Sequence, residues 1–167
     1  MSGCPEISTL ASPLCVKSLN FRSLPAQNPL FLKYLYGFDQ VSDFYNPMPR
    51  SEADWKRRVD RVLDSPRFPR DLLVSVLEPF NREIGGGAKT LEHLRDLAAP
   101  DAVAVVTGQQ VGFLGGPSYA VYKAATAISL ACHLRKLGIK AVPIFWMASD
   151  DSDFDEIRST RLVDGQG

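Results

Sequence analysis

Along the first hundred residues the apolar positions recur at three- and four-residue intervals; beyond Asp101 they merge into short unbroken runs. A stripe repeating near 3.6 residues buries one face of a helix, whereas a continuous run of four to eight apolar residues suits a strand covered on both faces. Residues 1–27 have little periodicity and several prolines, and read as an extended arm with one short strand near Lys17–Phe21. Asn28 followed by Pro29 has the order of an N-cap and a first helical residue, and Leu30, Phe31, Tyr34 and Leu35 continue at helical spacing up to Gly37. NPMPR (46–50) is a linker. Ser51 and Asp54 form a capping-box variant that opens a helix with Trp55, Val59, Val62 and Leu63 on one face. Its other face carries Lys56, Arg57, Arg58 and Arg61 and reads as solvated. A third helix is expected near Arg70–Ile84, kinked or split by Pro79. After the glycines at 85–87, Thr90 is expected to cap the short helix LEHLRDLAA.

From Asp101 the pattern is that of a βαβ unit. AVAVV is a buried strand, a helix runs from about Ser118 to Leu137 with Gly138 at its C-cap, and AVPIFWMAS (141–149) is a second buried strand. His133, Arg135 and Lys136 in the last turns suit the helix dipole. The fold class is α/β: a mostly helical region, 1–100, then the first βαβ unit of a Rossmann-like parallel sheet, 101–167. A right-handed crossover is expected. Two strands do not make a stable doubly wound sheet, and RLVDGQG reads as a strand start and a turn leading onward. A partial, truncated chain is therefore expected. No internal repeat is present.

Composition narrows the function classes. The chain has 167 residues, with 45% hydrophobic and 23% charged, ordinary for a globular domain. Its 19 basic and 19 acidic residues cancel, so charge gives no footprint for nucleic acid or an anionic membrane. Cys4, Cys15 and Cys132 are odd in number and widely spaced, against a disulfide framework or zinc site. Cys132 reads as a small buried hydrophobe. His93 reads as an exposed helix residue, since no partner stands at metal spacing. The N-terminus lacks the pattern of a signal peptide, and no run reaches transmembrane length; the expected location is the cytoplasm.

Ligands of open α/β sheets bind beyond the carboxyl ends of the strands, and two segments fall there. The first is TGQQVGFLGG, Thr107 to Gly116. Its glycines allow close backbone approach, and Gln109 and Gln110 offer uncharged donors and acceptors. It leads into a helix N-terminus, which favours an anion. Its spacing is neither a Walker A loop nor GxGxxG, and a purely structural turn is the competing reading. In the helix, Tyr119, Tyr122 and Lys123 share one face at i, i+3 and i+4. Lys123 is the only charge between Tyr119 and Cys132; it must snorkel, meet a carboxylate or meet an anionic ligand. The second segment, DDSDFDE (150–156), has five carboxylates in seven residues. These need solvation, protonation or a cation: a solvated helix start, a substrate ammonium, Mg²⁺ held through water and a pair with Lys123 all satisfy that need.

These residues resemble the bacillithiol biosynthesis cysteine-adding enzyme family. The first motif reads Thr107, Gly108, Gln109, Gln110, Gly112, Gly116, Pro117, Tyr119, Tyr122, Lys123 and Ala124. The second reads Pro143, Phe145, Trp146, Ala148, Asp150, Asp151, Asp153, Phe154 and Glu156. The resemblance covers about the N-terminal third of a family member and implies a cysteine ligase that joins cysteine to glucosaminyl malate, the last step to bacillithiol. It also implies a core like that of class I aminoacyl-tRNA synthetases, whose GP-x-H-x-x-H segment stabilises ATP phosphates; Tyr119 and Tyr122 occupy those histidine positions here. On this basis Tyr119, Tyr122, Lys123, Asp151 and Asp153 are the candidate catalytic residues. Thr107, Gly108, Gln109, Gln110, Gly112 and Gly116 would hold ATP or another nucleotide, with Mg²⁺ as a further cofactor and no dedicated protein metal site. The acidic segment would hold a substrate ammonium, and Trp146 would be core. A homodimer through the family's C-terminal region and a coiled-coil insert beyond Gly167 are also implied. The family pattern has Glu-Asp-His-Asp where this chain has Asp150-Asp151-Ser152-Asp153, which removes a candidate general base. A nucleotide-binding module without ligase chemistry and a non-enzymatic scaffold are the alternatives.

Overall fold

The structure is a computed structural model that describes residues 17–65, 68–112 and 115–150. The chain forms two compact units, Met1–Arg50 and Ser51–Gly167.

The first unit is built on aromatic side chains. Helix α1 (Pro29–Tyr36) is capped by Asn28, whose side chain accepts from the Leu30 N–H, and it ends at Gly37. The strand expected near Lys17–Phe21 does not form. Asn20 instead caps a 3-10 turn over Phe21–Ser23, which places Phe21 edge-on to Phe31 at 5.1 Å. The Arg22 guanidinium lies 4.6 Å from the Tyr36 ring centre, and the Tyr36 hydroxyl accepts from the Phe21 N–H. Tyr34 packs edge-on against Phe38 and Tyr45.

The second unit holds α2 (Glu52–Leu63), α3 (Arg70–Glu83), α4 (Ala88–Ala98), β1 (Val103–Gln110), α5 (Ser118–Lys136) and β2 (Ala141–Ala148). Both halves of the Ser51–Asp54 capping box are made. Trp55, Val59 and Leu63 pack on the core, but Val62 stays 52% exposed. Helix α3 runs unbroken through Pro79. Helix α4 starts two residues before Thr90, because Gly87, in extended conformation, takes the N-cap position and its carbonyl accepts from the Thr90 N–H.

Strands β1 and β2 pair in parallel, with Val103 opposite Ala141 and Gln110 opposite Ala148. The βαβ unit and the α/β class follow from this pairing across α5. The core lies at the start of the strands, where Val103, Ala131, Leu134 and Ala141 are buried together. Ala120, Ala127, Ala131 and Leu134 are the buried residues of α5; three of them are alanines, and small side chains let a helix lie close to a sheet. Gly138 adopts φ +79°, the left-handed conformation that ends a helix and favours glycine. The strands are less covered than unbroken apolar runs predict. Val106 is 62% exposed and Trp146 60%, so Trp146 is not core within these residues. The sheet has two strands, and helix cover weakens toward their carboxyl ends. Trp146 lines an open groove of about 700 Å³ between α3, α4 and β2.

Three cations hold the amino ends of the strands, two of them from helices and one between the segments that lead into β1 and β2. Arg70 donates to the Leu97 and Ala102 carbonyls at 3.1 and 2.9 Å. Arg135 donates to the Ala141 carbonyl and to Asp96, the latter at 2.8 Å. Lys140 pairs with Asp101 at 3.0 Å and holds its carboxyl below the usual range.

Candidate functional site

At the opposite end of the same strands, β1 continues through Thr107, Gly108, Gln109 and Gln110, which sequence pattern alone assigned to a loop. Glycine and glutamine have little strand preference. Pairing with Phe145, Trp146, Met147 and Ala148 overrides it. The true connection begins at Val111. Within it, Gly112 and Gly116 approach so closely that a Cβ on Gly112 would lie 2.4 Å from the Gly116 Cα. Only glycine fits at 112, and the contact closes the loop below the start of α5.

Helix α5 begins behind Pro117, and no side-chain hydrogen bond caps it. One turn in, Lys123 reaches back to the strand. Its ammonium donates to the Gly108 carbonyl at 3.2 Å and to Gln109 Oε1 at 2.9 Å. Gln109 Nε2 donates to the Tyr119 hydroxyl at 3.1 Å, and the Lys123 ammonium lies 5.2 Å from the centre of the Tyr119 ring, within cation–π range. An ammonium has three N–H donors; among the described residues two have partners. The Tyr119 hydroxyl accepts from Gln109 and keeps its own proton to donate.

Beside this cluster lies a cavity of about 380 Å³. Thr107, Tyr119, Tyr122 and Lys123 stand on it with Thr126 and an apolar wall of Val105, Val106, Ala127 and Leu130. Tyr122 is 72% exposed and joins the cavity but not the hydrogen-bonded cluster. Thr126, Ala127 and Leu130 escaped sequence reasoning, although a signal was present: 119, 122, 123, 126, 127 and 130 form one stripe at helical spacing. Residues 151–156 of the acidic segment, Asp151, Ser152 and Asp153 among them, lie outside the described residues, as does any pairing of them with Lys123. Asp150 is exposed and lines the groove on the α3–α4 side. Among the described residues no group of three His, Cys, Asp or Glu is placed to hold a metal.

The donor set fits an anionic group. An ammonium with an open N–H, a phenol proton and an uncapped helix start are all positive, and together they match a phosphate or a carboxylate. Elsewhere, His93 is half-buried on α4, and its pKa is lowered by burial first and then by Arg135 and Lys89. Among the described residues no helix is long and apolar enough to cross a membrane.

Fold and site together define an α/β domain built on a parallel βαβ unit, with a lysine–glutamine–tyrosine cluster where the first strand meets the crossover helix. A family model described as "Bacillithiol biosynthesis BshC, N-terminal Rossmann-like domain" matches residues 16–167, and the chain belongs to that family. It is 34% identical over 142 residues to the protein of Natranaerobius thermophilus named "Putative cysteine ligase BshC", covering 83% of this chain and 26% of that protein. The relatives of the same name in Desulforamulus reducens and in a Geobacillus strain are 38% and 33% identical, over 80% and 85% of this chain and 25% and 26% of theirs. The chain thus spans about a quarter of the length of the curated relatives it matches.

Proposed function

We propose that this chain is the N-terminal part of a cysteine ligase that forms the amide between the carboxyl of cysteine and the glucosamine amine of glucosaminyl malate, the last step to bacillithiol. The observation that carries this reading is the Lys123–Gln109–Tyr119 cluster at the carboxyl end of β1, in a chain of this family. Lys123, Tyr119 and the start of α5 would bind the anionic part of a nucleotide or an activated carboxyl. Holding that group in place and stabilising its charge would supply most of the catalysis. A bound nucleotide would supply the leaving group that carries away a carboxyl oxygen as the amide forms. Thr107, Tyr122 and Thr126 would orient the ligand along the cavity wall, and the glycine pair at 112 and 116 would keep the loop out of its way. Asp151 and Asp153 would meet a substrate ammonium, with Mg²⁺ as an auxiliary cation.

The test compares thiol-labelled extracts of the source organism with and without the gene, read by mass spectrometry. Loss of bacillithiol with accumulation of glucosaminyl malate supports the ligase. Unchanged pools in the absence of a second copy overturn it. The serine at position 152, where the family pattern has histidine, favours a second reading, a nucleotide-binding module without ligase activity. Calorimetric titration of the full-length protein separates the two: the ligase binds ATP and cysteine, the module nucleotide alone.

A further inference from the structure

We infer that Gln109 is a positioning residue: its carboxamide locks the Lys123 ammonium and the Tyr119 hydroxyl into one donor pair that faces the ligand. This rests on the reading that Lys123 meets an anionic group of the substrate or nucleotide. It differs from the sequence expectation that Gln109 itself contacts a cofactor.

The argument is one of donors and acceptors. An ammonium can only donate, so the side of the carboxamide facing Lys123 must be oxygen, and Oε1 accepts at 2.9 Å. The amide nitrogen then faces Tyr119 and donates to its hydroxyl at 3.1 Å. That donation occupies the phenol oxygen as an acceptor and turns its proton away from Gln109. Turning the amide over would place an NH₂ against an NH₃⁺, so Lys123 and Gln109 fix each other's orientation. The second acceptor on Lys123 is the Gly108 carbonyl, at 3.2 Å, and Gly108 is held in register opposite Trp146. Lys123 is thereby tied to the strand at two points, and its remaining N–H has a defined direction. A long lysine side chain otherwise loses considerable rotamer entropy when it binds a ligand; Gln109 removes much of that loss beforehand. The amide is uncharged, so it holds the cation without neutralising it. An aspartate or glutamate there would hold Lys123 equally well but would repel the anion.

Two measurements on the full-length protein test this. The first is the rate of reductive methylation of Lys123, mapped by peptide mass spectrometry with Lys56 as an internal standard. Gln109→Leu frees the ammonium, and its methylation rate is expected to rise severalfold relative to Lys56. Gln109→Glu keeps the acceptor and adds a charge that favours the protonated amine, so the rate is expected to stay at or below that of the parent. The second is a double-mutant cycle in the ligation assay with Gln109→Leu and Lys123→Met. Gln109→Leu is expected to lower kcat/KM about tenfold in the parent, the size of one hydrogen bond to a charged group. It should have almost no effect once Lys123 is Met, because the two residues act through one path. An unchanged Lys123 methylation rate in Gln109→Leu overturns the inference. So does full additivity in the cycle, which would mean that Gln109 touches the ligand directly. If the full-length parent does not ligate at all, the ligase reading fails by itself, and the methylation rates still decide whether Gln109 holds Lys123.

Discussion

Helix α5 carries a cation near each end, and the two ends behave differently. At the carboxyl end Ala131 and Leu134 are 2% and 3% exposed. Arg135 there bonds both the Ala141 carbonyl and Asp96, each of them a group of this domain. At the amino end Tyr119 and Tyr122 are 50% and 72% exposed, and Lys123 is held by strand and glutamine with one N–H left over. A guanidinium with fixed, part-buried partners joins helix to strand. An ammonium with uncharged partners at an open edge keeps its charge available. The comparison shows that a cation's role follows from how much of its donor capacity the fold itself takes up.

The comparison can be broken at either end. The largest expected effect is at the buried end: Leu134→Ala should destabilise the domain by about 3 kcal/mol through lost burial and a cavity, read by urea unfolding of the full-length protein. Lys123→Met should leave stability within about 0.5 kcal/mol, as usual for an exposed position, yet lower ligation kcat/KM about a hundredfold, roughly 2.7 kcal/mol of transition-state stabilisation. A parallel loss of stability would show that the two ends are not distinct. Arg135→Met should do the reverse, costing about 2 kcal/mol because Asp96 and the Ala141 carbonyl lose a charged donor, while KM and kcat stay near parental values in the protein that remains folded.

The smallest effect is a pH dependence at the buried end. Burial, then Arg135 and Lys89, lower the pKa of His93 from 6.5. Below that value the unfolded chain binds a proton before the folded one does, so stability falls as pH drops and levels off once the folded form is also protonated. His93→Gln should remove this small slope, and Arg135→Met should weaken it, since Arg135 is one of its causes. Urea midpoints of the three proteins between pH 7 and 5 measure both changes.

How much of this was legible depended on distance along the chain. The Asn28 cap, the Ser51–Asp54 box and the Gly138 helix end each involve residues within four positions, and local spacing was enough to find them. The Tyr119–Tyr122–Lys123 face was legible for the same reason. Thr90 looks like the cap in sequence, but Gly87, without a side chain to signal it, opens the helix instead. The end of β1 looks like loop in sequence because Gly108, Gln109 and Gln110 have weak strand preference, and their partners in β2 lie some 38 residues on.

The sequence by itself determined the helices, the βαβ order, the stripe of chemistry on α5 and the family the chain resembles, because periodicity and local hydrogen bonding are properties of neighbours. Only the tertiary structure decided that Gln109 faces Lys123 across 14 residues, that Arg135 meets Asp96 across 39 and that Trp146 stands exposed beside a groove. Those outcomes depend on which surfaces the packing of α4 and α5 on the sheet brings within hydrogen-bond reach. That packing sets whether a polar group is satisfied inside the fold or left at the open edge of the sheet.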